Sequence, residues 1–214
     1  MSNTSLSEIF EEYRTRTTKN AFHHGGSQKN LDNFFEETFE DVLYSNGFRE
    51  ADREEYIHAS KDIKNPLTRD YPQSESSDDW YKAQPFGSQS FPDFLISRNG
   101  VIIPVELKSN KTRTNPFWNG HIVTTIGIYL INESETPDCT FFLGCDYSPA
   151  DEKAALLEAD KLTKEFAQRF RHLEGVQRYT VRKAIADGPS AELIYDSPAR
   201  IDRETSVLEL LDSV

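Results

Sequence analysis

The sequence predicts an α/β fold of the α+β kind, a central mixed β-sheet flanked by helices, and three observations carry that prediction. An amphipathic stretch with helical spacing opens near Leu31. Two short β-rich apolar runs meet at a glycine turn near Gly100. A second long helical stretch, from about Asp151, separates these from further strand-like runs. With 214 residues the chain can bury a substantial core, and it reads as one domain over 1–214. Its 36% hydrophobic content sets it apart from a disordered composition.

The elements follow in order. In "LDNFFEETFEDVLYSNGF" the residues Leu31, Phe34, Phe35, Phe39, Val42 and Leu43 keep the three-four spacing of one apolar face, and "SNG" supplies a stop. "EYIHAS" reads as a short strand. Residues 61–90 are rich in Pro, Ser, Asp and Gly and read as a long loop, with one turn of helix around Asp79–Lys82. "DFLIS" and "VIIPVEL", joined by "RNG", carry a strong hairpin signal. "IGIYLIN" and "CTFFLGCDY" predict two more strands, and a helix is expected over Asp151–Leu173. "VQRYTVRKAIA" and "AELIYD" read as strands, and Arg203–Leu211 as a short final helix.

Charge is unevenly spread. The net charge of -12 argues against a nucleic-acid partner, because phosphate binding needs local positive charge. Yet Arg14–Lys29 holds four Lys/Arg, two His and no acid, and Arg98–Arg113 holds four basic residues against Glu106 alone. That separation suits a basic cleft in an acidic body, and residues 1–30 read as a basic N-terminal arm. Cys139 and Cys145 would lie roughly 20 Å apart along one strand, too far for a disulfide. No run has the length of a membrane span, and the first residues lack an apolar signal core, so a cytoplasmic protein without a membrane partner is expected.

The stretch "PDFLISRNGVIIPVELKSN" ends two apolar runs in charges. Alternation along a strand puts Glu106 and Lys108 on one face and Leu107 on the other. A turn at Asn99–Gly100 brings Asp93 opposite Glu106. Two neighbouring carboxylates repel unless a cation sits between them. Such oxygen ligands suit Mg²⁺, which takes one or two protein carboxylates and keeps several waters. Lys108 would stand beside one of those waters, orienting it or neutralising developing charge.

The pattern Pro92-Asp93 followed by Glu106-x-Lys108 resembles the PD-(D/E)xK nuclease superfamily, with its restriction-endonuclease-like core. The likeness covers roughly Leu31 to Asn110, and the "NGVII" run before the E-x-K is similar to that of archaeal Holliday-junction resolvases. The resemblance implies that Asp93 and Glu106 hold Mg²⁺, that the Leu107 carbonyl helps, and that Lys108 is the catalytic lysine. Many members of the superfamily also place a glutamate of the first helix near the metal. Of Glu36, Glu37 and Glu40, Glu36 lies nearest the apolar stripe and is the choice here.

The resemblance extends most closely to type II restriction endonucleases. It implies a Mg²⁺-dependent enzyme that hydrolyses phosphodiester bonds of double-stranded DNA at a short site, acting as a homodimer. A junction-resolving or repair nuclease is the alternative with the same chemistry. A non-catalytic DNA-binding module with this fold is the alternative from another class. Ser109, Asn110, Lys111, Arg113 and Asn119, which follow the motif, and Lys29 in the basic arm are the expected DNA contacts. The 61–90 loop is expected to serve as a recognition or clamp element.

Overall fold

The computed structural model describes residues 4–20, 28–88, 90–110, 112, 115–116, 123–135, 137–147, 150–173 and 189–214. The chain runs α1 (Leu6–Asn20), α2 (Gln28–Ser45), β1 (Arg49–Glu50), α3 (Ser60–Lys64), β2 (Trp80–Ala83), β3 (Phe94–Arg98), β4 (Val101–Asn110), β5 (Ile128–Glu133), β6 (Asp138–Leu143), α4 (Ala150–Arg169) and α5 (Arg200–Asp212). Among the described residues the strands form one six-stranded sheet in chain order. β1–β2 and β4–β5 pair parallel and the other neighbours antiparallel, so the sheet is mixed, as its sequence predicts.

The β3–β4 hairpin closes through Asn99 and Gly100, at φ +50° and +79°. Positive φ at both turn positions matches the right-handed twist of the flanking strands, and Asn-Gly adopts it at little cost. The turn fixes a register in which Phe94 faces Val105. All five β3 residues are buried because the sheet is covered on both faces. On one face Phe94, Ile96, Ile103, Val105, Leu130 and Phe141 pack against α1, α2 and α5. On the other, Trp80, Leu95, Ile102, Tyr129 and Phe142 meet residues of the segment after β1, including Tyr56 and Ile63.

Five expectations change. The basic arm is not an arm where it is described: Leu6–Asn20 is helix α1, with Leu6, Ile9, Phe10, Tyr13 and Thr17 buried at three-four spacing. Its basic charges meet acids of the same fold, Arg14 with Glu204 at 3.0 Å and Arg16 with Glu12. Residues 21–27 lie outside the described residues. "EYIHAS" forms short 3₁₀ turns leading into α3 rather than a strand.

Within 61–90, the expected turn of helix at Asp79–Lys82 is strand β2, whose Trp80 is fully buried and donates its indole N–H to the Ser74 hydroxyl at 3.0 Å. "AELIYD" forms a single π-helical turn over Glu192–Asp196 rather than a strand, with Ile194 and Tyr195 buried. The last helix starts earlier than expected, at Arg200. The expected strand "VQRYTVRKAIA" lies outside the described residues. Among the described residues no helix is long and apolar enough to cross a membrane.

Candidate catalytic carboxylate cluster

The hairpin register continues one step past β3, which sets Asp93 opposite Glu106. The Asp93 amide donates to Glu106 Oε2 at 3.2 Å, and the Leu107 amide donates to Asp93 Oδ2 at 2.8 Å. Each carboxylate is thus pinned by the backbone of the other strand. Lys108 Nζ donates to Glu106 Oε1, and both side chains are largely buried. Leu107 points to the opposite face, into the core beneath the helices. Alternation along β4 therefore delivers Glu106 and Lys108 together at the end of the sheet.

The floor of the cluster is aromatic. Phe91, just before Pro92 and Asp93, stacks on Tyr129 with ring centroids 5.9 Å apart, and Tyr129 stacks on Phe142 at 5.3 Å. The Tyr129 hydroxyl accepts the Thr124 amide at 2.8 Å, so this buried phenol is satisfied. Gly127 lies against the same stack: a Cβ there would meet the Thr124 hydroxyl at 2.6 Å and the Tyr129 ring at 2.8 Å.

Burial over this floor, together with the charge of Glu106, pushes the Asp93 carboxyl up to about 7, although Lys108 and the Leu107 amide favour its ionised form. Burial also works against the Lys108 ammonium. Glu106, Asp93 and Asp32 outweigh it and hold Lys108 above the ordinary lysine range, so it stays a cation.

Helix α2 supplies the opposite wall. Burial, then the charge of Asp93, raises the Glu36 carboxyl above its ordinary value, with a smaller contribution from Asp32. Glu40 instead accepts the Tyr81 hydroxyl at 2.9 Å, and Glu37 is exposed. Among the three glutamates of this helix, Glu36 is the one in electrostatic contact with Asp93.

Two members of the cluster escaped sequence reasoning. Asp32, one helical turn before Glu36, accepts the Ser109 hydroxyl. Its position four residues before Glu36 places both on one helix face, a signal readable once Glu36 is chosen. Gln84, just after β2, donates its side-chain amide to Glu36 Oε2 at 3.1 Å and its backbone N–H to the Asp93 carbonyl at 2.6 Å. It does so at φ +45°, a left-handed conformation uncommon for a residue other than glycine. No sequence signal marks it, because β2 itself is unexpected.

The expected DNA contacts fare differently. The Ser109 hydroxyl is given to Asp32 across the β4–α2 gap. Asn110 is buried, its carbonyl accepting the Ser134 amide at 3.1 Å and its side chain lying against the Tyr195 hydroxyl, so it packs the fold rather than opening to solvent. Lys29 falls within α2, and its side chain lies outside the description. Lys111, Arg113 and Asn119 lie outside the described residues.

The donor set bears on a metal. Among the described residues no group of three or more His, Cys, Asp or Glu converges to hold an ion by side chains alone. Mg²⁺ needs only one or two carboxylates, with water and substrate oxygens completing its shell. Asp93 and Glu106 are a hard-oxygen pair of that kind, and Asp32 and Glu36 bring further negative charge. Lys108 is the cation that acts on both Asp93 and Glu36. The crowding of the Asp93, Glu106 and Glu36 carboxylates beside it fits a cation.

Comparison with protein-family models gives no match for this chain, and neither the curated proteins nor the solved structures give one.

Proposed function

We propose that this protein is a Mg²⁺-dependent deoxyribonuclease of the PD-(D/E)xK kind, hydrolysing phosphodiester bonds of double-stranded DNA at a short specific site. The observation that carries the reading is the mutual pinning of Asp93 and Glu106, with Lys108 on Glu106 and Glu36 beside Asp93. Two acids and an amine at a sheet end have no packing role there that an apolar trio would not fill better.

In this reading Asp93 and Glu106 would hold the ion, with the Leu107 carbonyl as a further ligand. Bound Mg²⁺ would lower the pKa of a water and neutralise charge on the attacked phosphate. Lys108, kept protonated by its acidic neighbours, supplies positive charge where the pentavalent phosphate develops negative charge. Glu36, beside Asp93, would accept a proton or orient a water. The aromatic floor keeps bulk solvent out beneath the acids and strengthens each of these electrostatic contacts.

The test is cleavage of supercoiled plasmid, linear duplex and a four-way junction, each with Mg²⁺ or with EDTA. Discrete plasmid fragments that require Mg²⁺ support site-specific cleavage. Cutting confined to the junction assigns the same chemistry to a resolvase. The nuclease reading fails if no DNA is cut and Asp93→Ala binds Mg²⁺ as well as the unaltered protein.

A further inference from the structure

Helix α4 carries a buried cation that the proposed chemistry does not use. Lys153 is the helix's one buried residue among those whose burial is described, and no part of it is exposed. Its ammonium donates to the Thr125 hydroxyl and to the Gly144 carbonyl, each at 3.0 Å. Both acceptors are uncharged. Burying an ammonium on neutral partners is unfavourable, and an apolar side chain of similar length would fill the same space without that penalty. Burial accordingly draws the Lys153 pKa below the ordinary lysine value, against the pull of Cys145 and Asp146.

The segments that the two bonds join give the charge a purpose. Thr125 belongs to the turn that leads into β5, and Gly144 directly follows β6. The Thr125 hydroxyl in turn donates to the Pro66 carbonyl at 2.7 Å, and the Thr125 amide donates to the same oxygen at 3.1 Å. Lys153 therefore ties α4, the turn, the end of β6 and the segment around Pro66 to one another. A donor chain that runs from ammonium to hydroxyl to carbonyl strengthens each bond along it.

The same turn is wedged against the floor of the carboxylate cluster. The Thr124 amide donates to the Tyr129 hydroxyl at 2.8 Å, and the Gly127 amide closes the turn on the Thr124 carbonyl at 3.3 Å. Neither side has slack. A Cβ at Gly144 would lie 1.7 Å from the Thr124 carbonyl oxygen, and one at Gly127 would lie 3.1 Å from the Phe91 ring. Phe91 stacks on Tyr129 and stands two residues before Asp93. Close packing of this kind passes a displacement on rather than absorbing it.

We propose that Lys153 is a positioning residue for the carboxylate cluster. Its ammonium seats the Thr124–Gly127 turn, the turn holds the Tyr129–Phe91 stack, and the stack fixes Asp93 opposite Glu106. Lys153 acts on the acids through Thr125 and the two rings. The consequence for catalysis rests on the nuclease reading; the consequence for the geometry of Asp93 and Glu106 does not.

A lysine that only fastened α4 to the sheet would, when lost, free the helix and leave the acids as they are. Two amides tell the cases apart. The Asp93 amide donates to Glu106 Oε2 and the Leu107 amide to Asp93 Oδ2, so their exchange with solvent reports on the pinning of both carboxylates.

The test is residue-resolved hydrogen exchange on the metal-free full chain, with Lys153→Met and Thr125→Val beside the unaltered protein. Lys153→Met keeps the stem and removes the donor, and Thr125→Val keeps the shape and removes the acceptor. In each, exchange at Thr124, Gly127, Asp93 and Leu107 quickens by about tenfold while Ile96 and Ile103, in the middle of the hairpin, keep their rates. The double variant goes no further than the faster single, because both changes act at one contact. Plasmid cleavage slows by about tenfold in kcat with KM unchanged. The proposal is overturned if exchange rises evenly through the sheet, which marks a loss of global stability alone. It is equally overturned if Asp93 and Leu107 keep their rates, or if they loosen and cleavage does not slow. Should the unaltered protein cut no DNA, the nuclease reading fails, and the exchange pattern still decides whether Lys153 positions the acids.

Discussion

Asp93 and Glu106 hold each other across the β3–β4 hairpin. The Asp93 amide lies 3.2 Å from Glu106 Oε2, and the amide next to Glu106, that of Leu107, lies 2.8 Å from Asp93 Oδ2. The contacts fix both carboxylates while leaving them close enough to repel. Burial and that repulsion place the Asp93 pKa at about 7, above its unfolded value. The folded protein therefore binds this proton more tightly than the unfolded chain does. Without metal, the stability gained from it is full below about pH 4 and is lost as the pH rises through 7. Asp93→Asn removes that loss. Metal-free Asp93→Asn should be more stable than the unaltered protein at pH 8, by up to about 4 kcal/mol, and indistinguishable near pH 4. Thermal melts in EDTA across this range measure it. A difference that does not change with pH refutes the assignment. Mg²⁺ should raise the melting temperature of the unaltered protein at pH 8 and leave that of Asp93→Asn unmoved.

Lys108 is the cation that Glu106 and Asp93 keep protonated. Lys108→Met preserves its stem and removes its charge. Plasmid cleavage by this variant should be at least about a hundredfold slower under single-turnover conditions, with DNA affinity retained. Equal rates would remove Lys108 from the chemistry. The variant should also lose about 3–5 kcal/mol of stability, because buried Glu106 is left without its cationic partner.

The parts of this site that the sequence displays are those governed by period and turn chemistry. Asn99–Gly100 announces the hairpin, a period of two then sets Asp93 against Glu106 and beside Lys108, and a period of 3.6 selects Glu36 over Glu40. Gln84 could not be seen because "WYKA" is too short to show a period. Its strand is recognisable only by Trp80 and Tyr81 packing on opposite faces of a sheet formed by distant residues. Helix α1 was masked by its charges: Arg14 and Arg16 read as a phosphate-seeking run until Glu204 and Glu12 are seen to meet them. Asn110 continues the site strand in sequence, but the Ser134 amide and Tyr195 bury it. Local pattern reports a residue's own element, and long-range packing decides what that element faces.

Gln84 combines an unfavourable backbone with a contact to the site. Its φ of +45° costs about 1 kcal/mol relative to glycine, and its amide reaches Glu36 at 3.1 Å. Gln84→Gly should therefore keep or raise the melting temperature while slowing DNA cleavage by about tenfold, as Glu36 loses its donor. Gln84→Ala, which keeps the strain and loses the amide, should be slowed equally and be the less stable of the two. Melts and initial rates on both variants decide it: a Gly variant as fast as the unaltered protein would show that the amide does nothing for Glu36.

Gly144 sits where β6 ends and α4 is anchored. A Cβ at this position would fall 1.7 Å from the Thr124 carbonyl oxygen, a backbone atom that cannot swing aside. The Gly144 carbonyl is also one of the two acceptors of the buried Lys153 ammonium, and its amide donates to the Gly127 carbonyl at 2.9 Å. Gly144→Ala must push the Thr124–Gly127 turn away from β6. That movement disturbs the Tyr129 hydroxyl contact under Asp93 and unseats Lys153. The expected cost is about 3 kcal/mol or more, since overpacking against backbone adds to the loss of a buried charge's hydrogen bond. Urea unfolding should show the midpoint falling with the slope unchanged. A shift below about 1 kcal/mol would mean that the turn relaxes freely and does not brace the floor of the site.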